Sequence, residues 1–124
     1  MTVAILRQGH YLIASIRSDL SDSQVVKLRD DLTERVGQER VRGIILDVGG
    51  LDVIDSFVAR SLRSIAVTAK LRGAETVVVG IQPDAAIAMV QFSLNLEPLR
   101  ATLDLDEALV LLDRFVRRDA EDGR

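Results

Sequence analysis

The chain has 124 residues with no cysteine, one histidine, a formal net charge of −3 and only 3% aromatic residues. This is the size of one domain, which buries ~two-thirds of the surface its unfolded chain exposes. The composition excludes disulfides, thiolate metal sites, cysteine nucleophiles and multi-histidine centres, and it speaks against a nucleic-acid footprint or a base-stacking platform. No apolar run approaches the ~20 residues of a membrane span, and no basic segment followed by an apolar core opens the chain. The expected location is therefore the cytoplasm.

Two short β-rich runs, Val3 to Leu6 and Tyr11 to Ile16, are separated by Arg7-Gln8-Gly9-His10 and predict an antiparallel hairpin, with His10 as a turn residue. Ser21 with Gln24 three residues later is a capping box. Val25, Leu28, Leu32 and Val36 then share one helical face until Gly37, which is expected to stop the helix. Gly43 to Val48 is a continuous apolar run interrupted only by Asp47, as in a strand covered on both faces. Gly49-Gly50 ends it.

Next comes Leu51-Asp52-Val53-Ile54-Asp55-Ser56, and a helix starting near Ser56. Val58, Leu62, Ile65, Ala66 and Ala69 form its apolar face, with Arg60, Arg63 and Lys70 opposite. Thr76 to Gly80 reads as the next parallel strand. Pro83 opens a third helix with Ile87, Met89, Val90 and Phe92, whose apolar residues surround the axis and for which core packing is expected. Ala101 to Leu103 is a short edge strand. Asp104 and Glu107 form a second capping box before Leu105, Ala108, Leu109, Leu112, Phe115 and Val116. The domain is taken as residues 1–118, with 119–124 as a polar, frayed tail.

The order strand, strand, helix, strand, helix, strand, helix, strand, helix predicts an α/β domain with a mixed sheet, read as one sheet layer and one helix layer. Right-handed crossovers bring the strand-to-helix turns, Ser56 among them, to the carboxyl ends of the strands. Ser56 has two readings. It caps the helix, as Asp55 could do one residue earlier, or it accepts a phosphoryl group that the free amides and positive end of the helix then hold.

The element order, the acidic loop after the third strand and the serine at the following helix start resemble the STAS domain, the fold of anti-anti-sigma factors. The run Asp52-Val53-Ile54-Asp55-Ser56-Phe57 is closer to RsbS-like antagonists of the stressosome. The resemblance implies a single STAS domain with a mixed β-sheet of about five strands and about four helices. It also implies a non-enzymatic signalling subunit without cofactor or metal. Ser56 would be the residue phosphorylated by an RsbT-like serine kinase, with Asp52, Asp55, Phe57 and Arg60 near the contact. The implied partners are RsbR-like STAS co-antagonists and that kinase, in a homodimer and a large hetero-oligomer that releases the kinase on phosphorylation.

Single-domain factors of the SpoIIAA or RsbV type carry Asp-Ser-Ser/Thr-Gly at this place. Here Asp55 directly precedes the acceptor and Phe57 stands where the glycine would be, so an anti-anti-sigma factor is the alternative. A receiver-like domain phosphorylated on Asp47 lacks the acidic pair after the first strand, since the first two strands end in Arg7-Gln8 and Arg17-Ser18. A serine hydrolase lacks a base near Ser56. No glycine-rich phosphate loop is present, so ATP is expected on the kinase.

Overall fold

The structure, a computed structural model, describes residues 3–121. β1 (Ile5–Gln8) and β2 (Tyr11–Arg17) form an antiparallel hairpin. Gln8 faces Tyr11 across a two-residue turn, and Gly9 takes the left-handed φ of +59° that a turn this tight requires of its first residue. The first strand is thus displaced two residues toward the turn from its expected place, because the turn is Gly9-His10 alone.

α1 (Asp22–Glu39), β3 (Gly43–Gly50), α2 (Ser56–Leu71), β4 (Glu75–Val79), α3 (Pro83–Gln91), β5 (Arg100–Thr102) and α4 (Leu105–Glu121) follow. The five strands lie in the order β1-β2-β3-β4-β5, and every pair after the hairpin is parallel. Because each crossover is right-handed and the order never reverses, α1, α2 and α3 pack on the same face. Leu12, Ala14 and Ile16 of β2, with Ile44, Leu46 and Val48 of β3, meet Leu28 and Leu32 of α1, Leu62 and Ile65 of α2, and Ala85 and Met89 of α3 in one core.

α4 has no strand after it and crosses to the opposite face. There Ala108 and Leu112 cover Tyr11, Ile45, Val77 and Val79. The molecule therefore has three layers, helices on both sides of the sheet, and not the single pair expected. This also explains the consecutive apolar residues of β3: Ile44 and Leu46 face one core and Ile45 the other.

The Ser21 capping box forms: the Gln24 amide donates to Ser21 Oγ at 3.2 Å, and Gln24 Oε1 accepts from the Ser21 amide at 2.8 Å. Gly37 does not stop the helix. α1 runs on to Glu39 and ends at Arg40 in the left-handed region, φ 54°. A Cβ at Gly37 would overlap the Arg72 guanidinium, which donates from Nη1 to the Thr33 carbonyl at 3.1 Å. The glycine makes room for an arginine arriving from the end of α2.

α3 packs only through Ala85 and Met89, while Ile87, Val90 and Phe92 stay exposed, so core packing accounts for half of that helix. α4 extends to Glu121, and Asp119, expected in the tail, lies within it paired with Arg42. Residues 122–124 of the expected tail lie outside the described residues. No helix among the described residues is long and apolar enough to cross a membrane.

Candidate functional site

β3 delivers the chain to the carboxyl edge of the sheet, where backbone and side-chain bonds shape the turn. Asp47, half-buried near the end of β3, accepts from the Gly49 amide on Oδ1 at 2.8 Å. The Leu51 amide donates to the Val48 carbonyl at 3.0 Å. From the neighbouring turn, Gln82 Nε2 donates to the Gly49 carbonyl at 2.7 Å. Leu51 and Ile54 are buried in the core, and between them Asp52 and Val53 project into solvent. The alternation of buried and exposed residues clamps the loop at two apolar points and leaves its acidic side free.

The helix begins one residue earlier than a serine cap would have it. Asp55 is the N-cap: it is extended, its Oδ1 accepts from the Val58 amide at 2.8 Å, and its carbonyl accepts from the Ala59 amide at 2.9 Å. Ser56 is the first helical residue and is exposed. The capping reading of Ser56 is therefore corrected. A carboxylate one residue upstream already occupies the third first-turn amide, and among the described residues the Ser56 side chain makes no hydrogen bond. The amides of Ser56 and Phe57 belong to the first turn, whose N–H groups have no partner within the helix.

Phe57 is half-buried, between the two alternatives of a core residue and an exposed anchor, and Arg60 is exposed one turn further on. Asp52, Asp55, Ser56 and Arg60 thus share an exposed surface at the start of α2, with Phe57 partly beneath it. Ser61 is a different case. It is buried, and its Oγ donates to the Phe57 carbonyl at 2.9 Å, so of these two α2 serines Ser56 alone is open to a partner. Among the described residues no group of three His, Cys, Asp or Glu side chains is placed to hold a metal ion. Among the described residues the strand order has no reversal point of the kind at which doubly wound sheets hold nucleotides.

The STAS domain profile matches residues 2–108. The chain belongs to the STAS domain family. It is similar to the RsbT co-antagonist protein RsbRD of Bacillus subtilis, 26% identical over 80 residues, which are 64% of this chain and 29% of that protein. The chain thus spans less than a third of that relative's length. Among solved structures it is similar to a serine-to-glutamate variant of Moorella thermoacetica RsbS, with a TM-score of 0.79, 30% identity, and coverage of 93% of this chain and 97% of that one. A chain of the stressosome, described as a signal integration and transduction hub, is 31% identical with a TM-score of 0.76 and coverage of 92% and 99%. The anti-sigma factor antagonist SpoIIAA shares the fold at 14% identity, with a TM-score of 0.67 and coverage of 91% and 98%. The STAS match indicates a regulatory domain and no catalytic family.

Proposed function

We propose that this STAS domain is a phosphorylatable antagonist subunit of a stressosome-type complex in the cytoplasm. It assembles with RsbR-like STAS co-antagonists, itself as a homodimer within the larger hetero-oligomer, and sequesters an RsbT-like serine kinase until Ser56 is phosphorylated. The observation that carries this reading is the division of labour at the start of α2: Asp55 caps the helix and Ser56, next to it, is exposed and unused. Likeness to RsbS at 30% identity supports the choice of partner system over an anti-anti-sigma role, for which SpoIIAA offers only the fold.

In the proposed step, Ser56 Oγ attacks the γ-phosphorus of the kinase-bound ATP, a phosphate ester forms, ADP leaves and the hydroxyl proton passes to the kinase. The ester adds about −1.5 to −2 charge. The first-turn amides and the helix dipole stabilise it from one side, while Asp52 and Asp55 oppose it from the other. The fold tolerates the modification. A kinase seated on Asp52, Asp55, Phe57 and Arg60 meets added bulk and a changed potential and dissociates.

The test is intact-mass analysis and peptide mapping after incubation with an RsbT-like kinase and ATP, beside a Ser56→Ala variant. One phosphate on Ser56, absent in the variant and accompanied by loss of kinase binding, is the expected result. No labelling by a kinase active on another substrate sinks the proposal, and capture of an anti-sigma kinase instead favours the anti-anti-sigma alternative.

A further inference from the structure

β5 is the last strand of the sheet and pairs on one side only, with β4. The Thr102 carbonyl accepts from the Gly80 amide at 3.3 Å, toward the sheet. Backbone groups alternate along a strand, so the amide and carbonyl of Ala101 face the free edge. α4 runs back alongside this edge, and between them lies a groove of two adjoining cavities of about 560 and 170 Å³ that share Arg100, Leu111 and Arg114. Its middle is apolar: Ala101 and Val110 are exposed and Leu111 is half-buried. Its ends differ in charge. Where α4 begins, Asp106 and Glu107 line it, and Glu107 is held by the Leu103 amide. At the other end stand Arg100, Arg114 and Arg118, with Glu75 as the one acid lining that cavity. None of the three arginines has a carboxylate partner among the described residues.

We propose that this groove docks an extended peptide segment of a partner protein, with an apolar residue at its centre and acidic residues at its end. The segment adds to the free edge of β5 through the Ala101 backbone, its apolar side chain lies on Val110 and Leu111, and its carboxylates meet the fork-shaped donors of the three arginines. Antiparallel addition places the acidic end last, beside Arg100 at the start of β5. Three unneutralised guanidiniums at one end of an open strand edge select an acidic segment over a neutral one. The site is built from β5 and α4, apart from the turn that carries Ser56. Its helical wall beyond residue 108 lies outside the span of the family profile.

The probe is a fluorescein-labelled Thr-Val-Ile-Val-Asp-Glu peptide, titrated into the full chain at low ionic strength by anisotropy. A second peptide ending in Lys-Lys serves as control, and amide chemical-shift mapping locates the contact. Expected are saturable binding weakened by salt and shifts clustered on Ala101, Val110, Leu111 and Arg114. Arg114→Glu should weaken binding at least about tenfold, and Ala101→Pro, which removes only an outward amide, several-fold. Ser56→Ala should leave it unchanged. Equal binding of the lysine peptide, shifts elsewhere, or no saturation by ~1 mM overturns the proposal. So does self-association of the chain that Arg114→Glu abolishes, because the occupant is then a second copy.

Discussion

The two ends of the parallel sheet are built by different means. At the carboxyl end three turns carry short-range bonds, Asp47 to the Gly49 amide, Asp55 to the Val58 amide, and Asp104 to the Glu107 amide at 2.9 Å, and Gln82 reaches across from the neighbouring turn to the Gly49 carbonyl. Asp55 and Asp104 are exposed, and Asp47 is half-buried. At the amino end, residues distant in sequence are tied by charge. Glu39 joins Arg35 of its own helix to Arg7 of the hairpin. Arg42 pairs with Asp119 of α4 and lies over the Phe115 ring, 5.8 Å from its centroid, and Tyr11 donates from its hydroxyl to Asp113. One end ties α1 and α4 into the fold, while the other leaves Asp52, Asp55 and Ser56 exposed. Under the proposed function, this separation would let the surface change without the fold.

Substitutions at the locked end should cost more. The largest effect is expected for Gly43→Ala, whose new methyl group would lie 2.8 Å from Leu112 Cδ1 and 3.0 Å from Tyr11 Cδ1. Overpacking of this kind costs ~1–3 kcal/mol, read as a lower denaturation midpoint in urea. At the free end Asp55→Ala should cost ~1 kcal/mol through loss of the cap, and Ser56→Ala less than ~0.5 kcal/mol. Equal losses for the pair, in the same denaturation assay, would show that the serine has a structural share after all.

Tyr11 sharpens the contrast through pH. Burial, with the hydrogen bond to Asp113 and its charge, holds the phenol well above the usual tyrosine value. The folded state thus binds this proton more tightly than the unfolded state does. The stabilisation is fully present below the unfolded value of about 10 and fades as pH rises through the folded one. The chain has one tyrosine and no tryptophan, so absorbance at phenolate wavelengths reports Tyr11 alone. The phenol should stay protonated past the normal tyrosine range and ionise when the fold is lost. Ionisation with the native far-ultraviolet spectrum intact and a normal midpoint would remove the tie between β2 and α4.

Glu39 acts in the opposite direction. The hydrogen bond from Arg35, with help from Arg7, holds its carboxyl below the ordinary range, so its contribution is present above the unfolded pKa and is lost as pH falls through the folded one. An Arg35→Gln variant should show a shallower loss of stability on acidification than the parent. The smallest effect is expected for Thr76→Val in β4. Its Oγ1 is buried without a hydrogen-bond partner among the described residues, so an isosteric methyl should leave stability unchanged or raise it by up to ~1 kcal/mol.

The free end was the more legible one in the sequence because its signals are local. The Ser21 box marks the start of α1, while the Asp104 box forms only in part, since Glu107 accepts from the Leu103 amide instead of the Asp104 amide. Gly49-Gly50 and the 3.6-residue period of α2 act over a few positions and place the Ser56 turn within one residue. That one residue mattered, since Asp and Ser are near-equal caps and only the bond from the Val58 amide to Asp55 decides between them. The locked end could not be read this way. Arg42 and Asp119 are 77 positions apart and Tyr11 and Asp113 are 102 apart, with no periodicity to link them. The side of the sheet on which α4 packs follows from topology and leaves no mark in the stripe of α4. Gly37 misled for a related reason: helix interiors disfavour glycine by ~1 kcal/mol, and the arginine that justifies it comes from another helix.

The strands stand side by side in the sheet in the order of the chain itself. Each strand therefore has its neighbour already synthesised when it emerges, and none has to be inserted between two others. The face carrying Ile45, Val77 and Val79 is covered by α4, which follows all five strands along the chain. A nascent chain stopped short of α4 therefore presents an open apolar sheet, and that is the stage at which a chaperone would have most to hold.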